Sequence, residues 1–189
     1  MALTDNQERS ERSALDTTLQ SLATLGEGAI LAAVIYGLDG LSSEEIELLT
    51  PVWRGLDDDA RRRLILALSE AAESSFEFDF TPVGRMALSD ASGAVRAQAV
   101  DLLWEDMSRD VLEHLLVMVR EDDAVEARVA AAIGLGQFVL LGELGDLDDG
   151  TFRRIQELLL TIYDDEDEDV EVRRRALEAV SNSTLKDVE

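Results

Sequence analysis

Three segments of the chain repeat one spacing, an aspartate, five residues, then an arginine: Asp90 and Arg96, Asp122 and Arg128, Asp167 and Arg173. Each arginine follows Val95, Ala127 or Val172 and precedes alanines such as Ala99, Ala131 and Ala176. The segments read SDASGAVRAQAVDLLW, EDDAVEARVAAAIGLG and DEDVEVRRRALEAV. Successive arginines stand 32 and 45 residues apart, which places an insertion around Leu141 to Gly150. LDDDARRRLILAL reads as an earlier, degenerate copy, with its register among Arg61, Arg62 and Arg63 left open. A unit this short cannot bury an apolar face alone, so the copies must stack on one another.

Apolar spacing predicts the helices between these marks. Leu15, Leu19, Leu22 and Leu25 give a first helix over about Ser13 to Leu25, ended by Gly26 and Gly28. A second runs from Ala29 to about Leu38 and closes at Asp39-Gly40. Ser42 and Glu45 have the capping-box spacing and open a helix that contains Pro51. Asp57-Asp58-Asp59 starts the next. Phe76-Glu77-Phe78-Asp79-Phe80 alternates like a strand but is isolated, so it reads as a connector whose phenylalanines tuck between repeats. Thr81-Pro82 reads as a hydroxyl cap with proline at the first helical position. Helices are then expected over about 81–88, 93–105, 110–120, 124–143, 151–163 and 169–180. The helix over 124–143 is apolar nearly all round and must lie between others.

Composition agrees with helices. Hydrophobic residues make up 46% and aromatics only 5%, with two prolines. The absence of cysteine removes disulfides, thiol nucleophiles, zinc ribbons and iron–sulfur clusters. The polar start MALTDNQERSERS has no apolar core of a signal peptide. The longest apolar stretches, Gly28 to Leu38 and Val129 to Leu144, fall short of the roughly 20 residues that span a bilayer. A soluble, cytoplasmic protein is the expectation. With 41 acids against 17 bases the net charge is −24, which repels nucleic acids and anionic membrane surfaces.

An acidic turn, then D-x-x-x-x-V-R, then small and aliphatic residues on the following helix, resembles the HEAT repeat over about residues 42 to 180. FEFDF, LWED and the Ala/Gly-rich helix, in that order, are also similar to bacterial HEAT proteins and, distantly, to bilin-lyase repeats. The resemblance implies an all-α fold, a right-handed α-solenoid of antiparallel helix pairs whose second helices line the concave face. The expected organisation is one domain, 1–189. It comprises N-terminal capping helices (1–41), about four HEAT-type pairs (42–180) and the start of an incomplete final helix (181–189). Such an unfinished end allows a monomer or a weak homo-oligomer.

Catalytic chemistry finds little to build on. His114 is the one histidine and reads as an ordinary helix-surface residue. No G-x-S-x-G elbow is present. EF-hand spacing fails from Asp165, with Val170 at the glycine position, and from Asp146, where Gly150 comes one residue early. Neither a cofactor nor a resident metal is expected, nor enzymatic activity, although the resemblance keeps a bilin-lyase-like role as an alternative.

The expected function is a protein-interaction scaffold whose partner, expected to be basic, docks on the second helices. Candidate contacts are Gln98, Asp101, Trp104 and Glu105, then Gln137, then Glu178. Trp104 is the anchor candidate, since large aromatics dominate interface energetics; packing beneath the next repeat is its alternative. The acid runs Asp57–Asp59, Glu121–Asp123 and Asp164–Asp169 read as helix caps on a solvated surface, or as a contact for a basic partner. Arg96, Arg128 and Arg173 read as a structural ladder with turn aspartates, including Asp90, Asp122 and Asp167. An acidic decoy for a nucleic-acid-binding protein is a further alternative.

Overall fold

The computed structural model describes residues 15–24, 30, 32–75 and 77–181. Among them every regular element is an α-helix and none is a strand. The helices are α1 (15–23), α2 (Ala32–Gly37), α3 (Ser43–Gly55), α4 (Asp58–Ser74) and α5 (Thr81–Ala87). There follow α6 (Gly93–Leu102), α7 (Arg109–Glu121), α8 (Val125–Leu144), α9 (Asp149–Asp164) and α10 (Val170–Ser181). The expected boundaries at Ser13, Leu25, Gly26, Gly28 and Ala29, and the turn at Asn182-Ser183-Thr184, lie outside the described residues. So does the last segment, Leu185 to Glu189.

Side-chain caps fix the starts of α3, α4, α7 and α9. The Ser42 hydroxyl accepts from the Glu45 N–H at 3.3 Å, and the Glu45 carboxylate accepts from the Ser42 N–H at 2.8 Å, a complete capping box. Asp57, Ser108 and Asp148 cap α4, α7 and α9 by accepting from the N–H of Ala60, Val111 and Thr151. Thr81 is not a cap. It is already helical, and its N–H donates to Asp79 Oδ1 at 3.0 Å, so the carboxylate two residues earlier supplies the acceptor.

The chain divides into two compact units, Met1–Leu102 and Leu103–Glu189. In the first, α3 packs on α5, α4 packs on α2 and α6, and α5 packs on α6. Ala60, Leu64, Ile65 and Leu68 fall on one side of α4 at helical spacing and are buried. The connector is pinned to the turn after α2. Gly40 N–H donates to Asp79 O at 2.8 Å, and Asp79 N–H donates to Asp39 Oδ1 at 2.7 Å. Gly40 has φ +61°, a conformation that a side chain would strain. Phe78 stacks on Phe80 and meets Tyr36 edge-on, each at 5.3 Å between ring centres, and Phe80 is buried.

In the second unit α8 packs against α7, α9 and α10, α9 packs on α10, and α7 also touches α9. Burial on α8 extends from Ala127 to Val139 on several sides, which is why its sequence shows little polar face. Its 20 residues are long and apolar enough to cross a bilayer, by length and composition. The shorter span of 129–144 was expected to fall short. The helix gains its extra length at the N-terminal side, from Val125, and much of it is buried among α7, α9 and α10.

Candidate functional site

The repeat arginines occupy one structural position. Arg61, Arg96, Arg128 and Arg173 are each the fourth residue of their helix, α4, α6, α8 and α10. Of Arg61, Arg62 and Arg63, Arg61 is the one at that position. Each guanidinium reaches back to a carbonyl at, or just beyond, the end of the preceding helix. Arg61 Nη1 donates to Leu56 O at 2.7 Å, Arg96 Nη1 to Asp90 O at 2.7 Å, and Arg128 Nη1 to Asp122 O at 2.8 Å. Arg173 Nε donates at 2.9 Å to Tyr163 O, ten residues earlier, and not to Asp167. A cation bonded to the exposed carbonyls of a helix C-terminus satisfies them and complements the helix dipole.

Two of these arginines, Arg61 and Arg128, also bond to an acid in the turn before a later helix. Arg61 Nε lies 3.1 Å from Asp90, whose side chain is 4% exposed. Asp90 further accepts from Trp53 Nε1 at 2.6 Å and from Ser92 N–H at 2.8 Å, so this buried carboxylate is fully bonded. Arg128 grips Glu168 through Nη2 at 2.7 Å and Nε at 3.0 Å. Glu168 was not singled out among the six consecutive acids, and no local pattern distinguishes it. The hydrogen bond to Glu168 is the main reason the Arg128 guanidinium is held above its ordinary pKa.

The acid run before α10 divides into distinct roles. Asp165 and Asp169 accept from the N–H groups of Asp167 and Glu171, closing local turns, and Glu168 receives Arg128. Asp164, Glu166 and Asp167 are exposed. Among the described residues no group of three or more histidine, cysteine or acidic side chains is arranged to hold a metal ion. His114 is half-buried on α7.

The candidate contact residues lie on three helices and one turn. Gln98 is half-buried on α6 and donates to the exposed Asp101 at 3.2 Å. Surrounding protein atoms, and secondarily Glu73, push the Asp101 carboxyl above its usual range. Trp104 and Glu105 are not on the second helix as expected. The helix α6 ends at Leu102, and Asp106 N–H turns back to Leu103 O at 2.9 Å, leaving both residues exposed in the turn. Trp104 is 48% exposed, whereas Trp53, the other tryptophan, is 3% exposed. Gln137 is half-buried on α8. Glu178 is exposed on α10 and bridges Arg174 and Arg175, which also pair with Glu171. No protein-family model matches the chain, and no curated protein matches it.

Proposed function

We propose that the chain is a scaffold of HEAT-type helix pairs, continued as a right-handed α-solenoid, that binds a basic protein partner. Trp104 carries this reading. A tryptophan left 48% exposed in a turn with Glu105 and Asp106 combines an apolar anchor with neighbouring negative charge. The arginine at the fourth position of four second helices supports the repeat reading, since one side chain performs one bonding task at each recurrence. Charge supports the choice of partner, because a field of this sign speeds encounter with cationic proteins and opposes phosphates and acidic surfaces.

The test is capture from an extract of the native host on immobilised wild-type chain and on Trp104→Ala. The wild type should retain a basic protein at physiological salt and release it near about 1 M salt, where screening shortens to about 3 Å. Trp104→Ala should retain far less. Retention of acidic or neutral proteins, or equal retention by the variant, refutes the reading. Displacement of the captured protein by DNA would identify a decoy instead.

A further inference from the structure

One surface of α8 remains uncovered after its packing within the second unit is accounted for. Gly136 faces Ala179 of α10, Gly142 faces Phe152 of α9, and Arg128 reaches Glu168 before α10. Among the positions not buried, Glu126, Val129, Ile133, Gln137, Leu140 and Leu144 follow one another in unbroken steps of three or four residues. They form a single stripe on the helix. Val129 and Ile133 are half-buried, while Leu140 and Leu144 are 45% and 67% exposed. From Val129 to Leu144 the stripe runs about 22 Å at the helical rise. Glu126 stands near one end of it and Glu143 near the other.

We infer that this stripe receives an amphipathic helix of a partner protein, apolar on the docking side and lysine- or arginine-rich on its flanks. The inference rests on the basic-partner reading above and adds the place and form of the contact. Charge selects the occupant. Residues 103–189 carry 23 acidic and 9 basic side chains, so a second copy of this chain or an anionic bilayer meets like charge at the same surface. A cationic helix meets opposite charge. Form follows from the stripe itself: among the described residues no strand offers an edge to an extended peptide, whereas an apolar row along a helix matches i, i+3, i+4, i+7 anchors.

The experiment uses a fluorescent Leu/Lys peptide of about 18 residues, amphipathic as a helix of about 27 Å, titrated with the full chain at physiological salt. A peptide of the same composition scrambled to abolish the apolar face is the comparison. The decisive variant is Leu140→Glu with Leu144→Glu, because it removes apolar surface while adding attraction for a cation. Weakening by about tenfold or more, a change of about 1.4 kcal/mol, supports the inference, provided circular dichroism shows the wild-type helical content. Leu140→Ser with Leu144→Ser should weaken binding as well, and Leu177→Glu on α10 should not. Equal or tighter binding by the Glu variant, or equal binding of the scrambled peptide, overturns the stripe yet leaves a basic partner standing. Failure of the wild type to bind either peptide overturns both. Equivalent loss of the wild-type chain onto uncharged phosphatidylcholine vesicles, abolished by the Glu variant, would overturn the peptide in favour of a membrane.

Discussion

Arg128 and Glu168, forty residues apart in sequence, meet in a two-pronged ion pair, and Arg128 simultaneously holds the Asp122 carbonyl. Their side chains are only 16% and 13% exposed. One residue thereby ties the end of α7, the start of α8 and the turn before α10. The pairs α7–α8 and α9–α10 are joined by polar bonds as well as by apolar packing.

Arg128→Ala should therefore destabilise the second unit by about 2–4 kcal/mol, since it leaves a largely buried carboxylate and a helix-end carbonyl without their donor. Arg173→Ala removes one exposed bond to Tyr163 O and should cost about 0.5–1.5 kcal/mol. Urea unfolding of both variants measures the difference. Equal losses would show that the bridge to Glu168 contributes little beyond the carbonyl bond.

Glycines give a prediction of opposite signs. A Cβ on Gly142 would lie 2.1 Å from Phe152 Cδ2 and 2.5 Å from its Cγ, so the ring itself must move. Gly142→Ala should cost about 1–3 kcal/mol. At Gly55, the last residue of α3, nothing lies within 4 Å of an added Cβ. Gly55→Ala should instead gain about 0.4–1 kcal/mol by restricting the unfolded chain. Thermal melts of the two variants should move in opposite directions.

Helix placement was legible in the sequence because it rests on local physics. Ser42 with Glu45, Asp57 and Asp39-Gly40 mark their boundaries through bonds and dihedrals spanning a few residues. The arginine recurrence was legible too, but its register at Arg61 was not, since three adjacent arginines fit the spacing equally well. Glu168 was hidden for a related reason. It lies in an unbroken run of acids, and only the return of α10 alongside α8 decides which one meets Arg128. LLWED continues the apolar pattern of α6, which points to a helix through Trp104 and Glu105. The competing signal was Asp106, whose carboxylate accepts from Ser108 N–H at 3.0 Å and helps form the turn before α7.

Acid titrations should have opposite effects at Asp101 and Asp148. Desolvation, then Glu73, raises the folded Asp101 pKa, so the folded state binds this proton more tightly than the unfolded chain does. Its contribution to stability falls as pH rises from about 3.9 through the raised value. Asp101→Asn should be more stable than wild type at neutral pH, an advantage that fades below about pH 3.9. Bonds from Thr151, side chain first and backbone next, lower the folded Asp148 pKa. That carboxylate stabilises above its unfolded pKa, and the stabilisation is lost as pH falls through the depressed folded value. Asp148→Ala should thus be harmful at neutral pH and nearly silent in strong acid. Melting temperatures across pH 2 to 7, roughly the carboxylate range, provide the check.

Salt should act in opposite senses on folding and on partner binding. The net charge of −24 and the neighbouring exposed carboxylates of Asp164, Glu166 and Asp167 repel one another in the folded protein. Screening contracts from about 30 Å at 0.01 M to about 8 Å at physiological ionic strength, so added salt relieves that repulsion. Each 1 kcal/mol gained should appear as a rise of about 2–4 °C in melting temperature. The same screening removes attraction for a cationic partner, so affinity should fall over that range. Replacing Asp164, Glu166 and Asp167 by Asn separates the two effects. The variant should melt higher than wild type at low salt, the gap closing as salt is added, because these three acids neither cap a helix nor meet Arg128. If the acids also serve the partner, the variant should bind it more weakly at low salt and with a shallower salt dependence. A variant that melts higher yet binds identically would leave the charge of this turn with no part in recognition.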